Sequence, residues 1–177
     1  DITQATYVYG NYIDEVLHMR RGTADTAADY YFHADDLYNI MAVTDSAGTV
    51  VERYEYGDYG EPNFFDGFGT PIGSTAIGNP YLFNGRHFDE ESGLYYYRTR
   101  YLDPQAGRFL SRDTIGIWGD SANLGNATAY VGNSPWTNLD PLGAMQGTFA
   151  GGHHATAGGG GNYQDEIPLP YPCTCGC

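Results

Sequence analysis

The sequence predicts an all-β fold of antiparallel hairpin repeats, with an irregular plug toward its C-terminal end. The 177 residues include 17 tyrosines and 25 glycines, which are typical of strands and of turns. Apolar and polar positions alternate through residues 38–60 on both sides of the turn DSAG at 45–48, as in a β-hairpin. The same strand-and-turn pattern returns at 81–93 and 94–107, so the hairpin is a repeated unit.

These patterns divide the chain into five segments. The Gly- and Pro-rich stretch after the first hairpin has no regular period and predicts a loop. The stretch after Asp113 is irregular, with a short helix expected near residues 122–130. The last part is rich in Gly and then in Pro, which indicates a flexible tail. The segments are a partial repeat at 1–29, a repeat at 30–60, a loop at 61–80, a core at 81–145 and a tail at 146–177.

Charge and missing motifs limit the functions that the sequence supports. A formal net charge of −14 argues against nucleic acid as a partner, because phosphate binding needs a basic surface. No run of about 20 apolar residues is present, so no membrane span is expected. The sequence lacks the signatures of nucleotide and metal sites, so no cofactor is expected. The chain opens at Asp1 within a hydrophobic pattern, from which we expect a piece of a longer polypeptide.

Two stretches of the chain resemble a known family. Residues 30–60 resemble a YD repeat, with an aromatic pair before an Asp, a DxxG turn and a final YxYxxxG. Residues 81–116, YLFNGRHFDEESGLYYYRTRYLDPQAGRFLSRDTIG, resemble the Rhs-associated core, and residues 129–145, AYVGNSPWTNLDPLGAM, resemble its end. Over residues 30–145 the chain is therefore similar to the C-terminal part of a bacterial Rhs, or YD-repeat, protein.

The resemblance implies a hollow β-shell. In this family the repeats wind as antiparallel hairpins into a spiral sheet, or cocoon, and the core closes one end. It also implies a protein that is secreted or held at the cell surface. The partners so implied are the preceding YD repeats of the same polypeptide, with self-association or a cell-surface partner as further expectations.

The resemblance further implies self-cleavage by two aspartates, because members of the family cut their own chain after the second of two DPxG-type motifs. The matching residues are Asp113 in DTIG and Asp140 in DPLG, with Arg112 beside the first. The bond expected to break joins Ala144 to Met145. A carboxyl pair suits peptide hydrolysis, since one protonated partner polarises the carbonyl while the ionised one activates water. The enzyme would be at most an intramolecular aspartic protease.

Three departures from the family pattern favour an inactive site. Thr114 stands where proline is usual, Ala144 stands where leucine is usual, and residues 121–127 add length. Loss of a buried leucine side chain removes about 1.5–3 kcal/mol of anchoring. Asp113 and Asp140 also have an ordinary alternative role as turn or capping residues.

Two functions from different classes follow. The first is the shell-closing segment of a secreted or surface protein that cuts itself after Ala144. The second is a structural or adhesive extracellular protein, including a fibre-forming one, with an inactive cleavage site. A toxin payload is disfavoured, because the 33 residues after Ala144 are too few for an enzyme domain.

The cysteines of the tail favour a covalent link over a metal. Cys173, Cys175 and Cys177 form a CxCxC pattern downstream of His153 and His154, and this pattern lacks the CxxC spacing of zinc sites. An odd number of cysteines in an extracellular chain favours a disulfide or crosslink, with an end that has no defined role as the alternative.

Other polar residues have structural interpretations. Asp103, followed by Pro104, is expected to open a turn. Arg98 and Arg100 are expected to share a strand face and to pair with acidic neighbours such as Glu90 and Glu91.

Overall fold

The computed structural model describes residues 4–23, 25–116, 125–144, 147–149 and 155–157, which lie almost entirely in strands and turns. Within this described part, two 3-10 turns occur, at Phe83–Gly85 and Val131–Asn133, and no helix has the length and apolar character to cross a membrane. The strands are β1 (Gln4–Tyr9), β2 (Val16–Gly22), β3 (Ala28–Ala34), β4 (Ile40–Asp45), β5 (Val50–Tyr56), β6 (Pro62–Asp66), β7 (Pro71–Ile72), β8 (His87–Asp89), β9 (Leu94–Tyr96), β10 (Tyr101–Asp103), β11 (Arg108–Phe109), β12 (Asn138–Leu139), β13 (Gly147–Phe149) and β14 (Ala155–Ala157).

Seven antiparallel strands, β1 to β7, form the first sheet, and each strand pairs with the next one along the chain. Strand β5 shows why the sequence folds in this way. Glu52 and Tyr54 are buried, whereas Arg53 and Glu55 between and beside them are exposed. This two-residue period places one face of the sheet on the core. The prediction of antiparallel hairpins is confirmed.

An aspartate opens each of two hairpin turns in this sheet. Asp45 Oδ1 accepts hydrogen bonds from the backbone N–H groups two and four residues further on, both at 2.9 Å. Asp66 makes the same pair of bonds at 2.9 and 2.8 Å. Such side-chain bonds fix a tight turn between two strands.

The expectation of a loop over residues 61–80 is wrong for its first half. Strand β6 pairs with β5, and β7 pairs with β6. The Asp66 turn causes this pairing, because it repeats the DxxG turn of the preceding hairpin and is completed by Gly69 at φ +87°. The neighbouring Pro and Gly residues hide the alternation in the sequence.

Two smaller sheets complete the described part, one in the order β11–β10–β9–β8 and one in the order β12–β13–β14. One hydrophobic cluster joins the first sheet to the second, since Tyr54, Tyr95 and Tyr97 all belong to it. At its centre, the hydroxyl groups of Tyr97 and Tyr130 donate to Asn84 Oδ1 at 2.8 and 2.5 Å. The buried tyrosines are thus hydrogen-bonded as well as packed.

Two further expectations differ from the structure. Strands β13 and β14 lie in the segment expected to be a flexible tail, where β13 pairs with β12 and β14 pairs with β13. The described half of the expected helix near 122–130 is a turn, because the Asn126 side chain accepts the N–H of Thr128 at 3.1 Å. Residues 117–124 and the tail residues His153, His154, Cys173, Cys175 and Cys177 lie outside the described residues.

Candidate functional site

Asp113 and Asp140, the two aspartates singled out in the sequence, meet at a single guanidinium nitrogen. Asp113 follows β11 and Asp140 directly follows β12. Arg100 Nη2 lies 3.0 Å from Asp113 Oδ2 and 3.0 Å from Asp140 Oδ2. The three side chains are all buried. When both carboxyl groups are ionised, this buried cluster carries one net negative charge.

Arg100 is held from several sides. Its guanidinium carbon lies 3.6 Å from the centre of the Phe109 ring, and its Nε donates to the carbonyl oxygen of Gly143 at 2.5 Å. Its Nη1 donates to the carbonyl oxygen of Ala127 at 3.3 Å. A buried arginine is stable only when its charge and its N–H groups are matched, and these contacts supply that match.

The second oxygen of each carboxyl group organises the local backbone. Asp140 Oδ1 accepts the N–H of Ala144 at 3.0 Å, and Asp113 Oδ1 accepts the N–H of Ile115 at 3.0 Å. The turn role that was the alternative for these aspartates therefore exists together with their pairing. Asp113 Oδ2 is buried and forms the ion pair with Arg100, but it accepts no hydrogen bond from the described residues, so it keeps the capacity to bond to water or to a reacting group.

The turn at residues 140–143 is gripped through its backbone. Each of its four carbonyl oxygens accepts a hydrogen bond from a side chain of one of two short motifs, NGR at residues 84–86 or RTR at residues 98–100. The donor and acceptor pairs are Arg86 with Asp140 at 2.7 Å, Arg98 with Pro141, Thr99 with Leu142 at 3.1 Å and with Gly143 at 2.5 Å, and Arg100 with Gly143. The residues that precede the expected cleavage bond are thus fixed in place by three arginines and a threonine.

Gly143 permits this close approach. Its φ is +69°, and a Cβ at this position would lie 2.0 Å from the carbonyl oxygen of Tyr97. Both the backbone conformation and the contact require glycine.

The positions of Arg98, Arg100 and Arg112 in the structure differ from those expected from the sequence. Arg112 is exposed, and the guanidinium beside the aspartates belongs to Arg100 instead. Arg98 and Arg100 both pair with acidic residues, as expected, but the partners are Asp14 for Arg98 and the two site aspartates for Arg100 rather than Glu90 and Glu91. The two arginines do not share a strand face, because β9 ends at Tyr96, β10 begins at Tyr101, and Arg98 between them has φ +65°.

Of the expected cleavage bond, Ala144 is described and half-buried, and Met145 lies outside the described residues. Sequence reasoning missed Arg100 because its burial depends on residues up to 43 positions away. One signal was available, since an arginine inside the aromatic run YYYRTRY is well placed to be buried.

A second buried ion pair lies beside the first. Asp14 Oδ2 is 3.1 Å from Arg86 Nη2, and Asp14 Oδ1 is 2.5 Å from Arg98 Nη2. Burial raises the pKa of Asp14 to about 7, against the attraction of Arg86. Among the described residues, no group of three or more His, Cys, Asp and Glu side chains is arranged to hold a metal ion.

Proteins to which this chain is similar include a nuclease and a toxin protein. The tRNA nuclease WapA of Bacillus subtilis is 38% identical over 115 residues, which are 64% of this chain and 5% of the nuclease. The toxin protein Tse5 of Pseudomonas aeruginosa is 35% identical over 115 residues, which are 65% of this chain and 8% of that toxin. The chain thus spans a small fraction of the relatives that it matches. No family model matches it.

A solved structure confirms the fold. The crystal structure of TcdB2–TccC3–Cdc42 matches 80% of this chain and 7% of that chain, with a TM-score of 0.63 and 23% identity. The predicted fold class, antiparallel hairpins of the YD-repeat shell type, is therefore confirmed. The relatives and this fold together support the similarity to the C-terminal region of Rhs-type proteins.

The comparisons contradict the function expected from the sequence, a shell-closing segment or a structural and adhesive surface protein. The relatives are named as a nuclease and a toxin protein. The expectation was wrong because it considered only the short tail as a possible toxin. The matched region is a small part of two much longer relatives, 5% of the nuclease and 8% of the toxin protein. For the same reason the acidic charge of this chain does not exclude nucleic acid as a target of a whole polypeptide.

Proposed function

We propose that this chain is the self-processing segment of a longer toxin polypeptide, corresponding to the Rhs-associated core, and that it hydrolyses its own peptide bond between Ala144 and Met145. One observation carries the proposal. Asp113 and Asp140 share Arg100 Nη2 at 3.0 Å each, while Asp140 also holds the N–H of Ala144. A buried carboxyl pair therefore lies at the residue that precedes the bond.

The chemistry assigns different work to the two aspartates. A water molecule attacks the carbonyl carbon of Ala144 and gives a proton to the ionised carboxylate, while the protonated carboxyl group donates to the carbonyl oxygen. The C–N bond then breaks as the carboxyl group that took the proton from water gives it to the nitrogen of Met145, which leaves as an amine, and the other carboxylate recovers its proton from the hydroxyl group as the carbonyl forms again. Asp113 Oδ2, which contacts Arg100 Nη2 but accepts no hydrogen bond from the described residues, is our choice for the proton exchange with water.

Arg100 and the turn contacts position the reacting groups. The guanidinium keeps both carboxylates within reach of each other, and its bond to Gly143 fixes the residue before Ala144. A well-oriented intramolecular arrangement can replace much of the entropy cost of bringing groups together. Arg112 remains a proposed site residue. It is exposed beside Asp113, so we propose that its positive charge attracts the carboxylates of Asp113 and Asp140 from the solvent side.

The toxic activity is proposed for the whole polypeptide. An attack on nucleic acid, as in the name of the WapA relative, needs basic groups, and here Arg86 and Arg100 are buried in ion pairs. We therefore assign such an activity to parts of the polypeptide outside the described residues. Export from the producing cell belongs to the same proposal, because one of the relatives is named as a toxin protein.

The preceding repeats of the same polypeptide are the proposed partner. Strand β1 is an edge of the seven-stranded sheet, and among the described residues it pairs only with β2. An open edge presents backbone groups to a further strand. We expect the preceding repeat to add its last strand there.

Intact mass spectrometry of the 177-residue chain tests the cleavage. We expect fragments that end at Ala144 and begin at Met145, and we expect Asp113→Asn and Asp140→Asn each to keep the chain whole. Asp103→Asn is the matched control, because Asp103 also accepts a turn N–H, from Ala106 at 3.0 Å, but lies in another turn. A chain that stays whole under all conditions, or variants that are cut as fast as the wild type, would overturn the proposal.

A further inference from the structure

Asp14, in the turn between β1 and β2, reaches the candidate site from the far end of the chain. It is 6% exposed and is separated by 72 and 84 positions from its partners Arg86 and Arg98. No sequence pattern singles it out, and the cleavage chemistry does not use it. Its position nevertheless connects the first hairpin to the turn at 140–143.

The backbone of Asp14 is docked as closely as its side chain. Gly85 has φ +65°, and a Cβ there would lie 2.0 Å from the Asp14 carbonyl oxygen. Only glycine allows this approach. The turn of the β1–β2 hairpin therefore packs directly on the 3-10 turn that precedes Arg86.

Both partners of Asp14 also hold the turn before the cleavage bond. Arg86 Nη2 contacts Asp14 Oδ2 at 3.1 Å and donates to the Asp140 carbonyl oxygen at 2.7 Å. Arg98 donates to the Asp14 carboxylate from Nη2 at 2.5 Å and from Nη1 at 3.4 Å, and its Nη1 also donates to the carbonyl oxygen of Pro141. Without Asp14, Arg86 would be a buried cation with no carboxylate among its described contacts, a state that strongly favours rearrangement.

We propose that Asp14 is a positioning residue for the cleavage, so that cleavage requires the β1–β2 hairpin to be docked on the core. This inference rests on the proposed function. Processing would then follow the folding of the preceding sheet, and an unfinished chain would not release its downstream part.

Several charged and titratable groups face Asp14. Arg86 and Arg98 contact it directly, and its negative charge contributes to the raised pKa of Tyr12 and of Tyr81. Asp140 lies beyond Arg86. Because the pKa of Asp14 is raised to about 7 by burial, its ion pairs are complete only above that pH. We therefore expect the hydrogen bonds from Arg86 and Arg98 to the turn at 140–143 to weaken as the pH falls through this value.

The test compares Asp14→Asn with wild type in the 177-residue chain. Cleavage is followed by intact mass from about pH 5 to about pH 9. We expect the variant to be cut about 10-fold to 100-fold more slowly above pH 7, as for misplaced reacting groups. The change in cleavage rate that wild type shows near pH 7 should be absent from the variant. Asp29→Asn is the control, since Asp29 pairs with Arg20 on the same sheet at 3.2 Å, away from the site; its rate should equal that of wild type.

Hydrogen exchange separates this inference from the proposed function. Exchange at the N–H of Ala144 should be faster in Asp14→Asn than in wild type, even in an Asp113→Asn background that does not cleave. If wild type is cut and Asp14→Asn is cut equally fast with the same pH profile, the inference is wrong and the proposed function stands. If wild type is never cut, the proposed function fails, and equal exchange at Ala144 would then reject the docking role as well.

A second variant covers the case in which Asp14→Asn does not fold. Arg98→Gln removes the same ion pair from its more accessible side, where the side chain is 32% exposed. Slower cleavage and faster exchange at Ala144 support a role for the Asp14–Arg98 contact together with the Arg98 bond to Pro141, and unchanged values of both overturn the inference.

Discussion

Arg100 Nε and the carbonyl oxygen of Gly143 lie 2.5 Å apart, so the arginine that joins the two aspartates also holds the residue before Ala144. This single side chain links the charge of the site to the geometry of the backbone that is expected to be cut. A change at Arg100 should therefore affect both stability and cleavage.

Arg100→Gln should destabilise the fold by about 3–5 kcal/mol, because removal of one partner of a buried ion pair leaves the carboxylates of Asp113 and Asp140 without their cation. Urea unfolding of the purified variant measures this change. Arg112→Gln is the control and should stay within about 0.5 kcal/mol of wild type, since Arg112 is exposed. Equal losses in the two variants would contradict the role given to Arg100.

Gly143→Ala should lower the free energy of unfolding more than Gly48→Ala does. Both glycines have positive φ, +69° and +78°, but a Cβ meets the Tyr97 carbonyl oxygen only at position 143, while position 48 has nothing within 4 Å. The left-handed conformation alone costs about 1–2 kcal/mol, so any excess at 143 reports the contact. Thermal unfolding of the two variants gives the comparison, and equal values would exclude close packing of the turn at 140–143.

Glu52 is expected to hold residues 75–77, which follow β7, against the sheet through hydrogen bonds, an arrangement called here the Glu52 lock. It is 1% exposed and accepts bonds from the Tyr54 hydroxyl at 2.5 Å, the Thr75 hydroxyl at 2.9 Å and the Ile77 N–H at 2.9 Å. Glu52→Gln should cost about 1.5–3 kcal/mol, because hydrogen bonds to a charged acceptor are lost. Glu55→Gln, on the exposed side of the same strand, should change the urea midpoint little; a similar shift in both would argue against the lock.

The sequence predicted the hairpins well and the site only in part. The alternation around the turn at 45–48 is local, so it can be read directly. The Asp66 turn has the same chemistry, but Pro and Gly residues around it conceal the strands. Asp113 and Asp140 came from family motifs. The aromatic run around Arg100 could have indicated its burial, but its two aspartate partners and the role of Asp14 could not be predicted, because they depend on contacts between residues that are distant in the chain.

Acid should weaken the hairpin turn at Asp66 through a specific carboxylate. Hydrogen bonds from the backbone N–H of Thr70 and then of Phe68 lower the pKa of Asp66 below its ordinary value of 3.8. A carboxyl group whose pKa is lower in the folded state than in the unfolded state stabilises the fold above the unfolded pKa. This contribution is lost as the pH falls through the folded value.

Asp66→Asn should therefore unfold with a shallower pH dependence than wild type below about pH 4, and it should differ little from wild type at neutral pH, because an Asn oxygen can accept the same two N–H groups. Urea unfolding across this pH range measures the slope. Asp58→Asn, at another exposed turn position, should keep the wild-type slope. If Asp66→Asn keeps that slope too, the carboxylate charge does not contribute to the turn, and its hydrogen bonds alone hold β6 and β7 together.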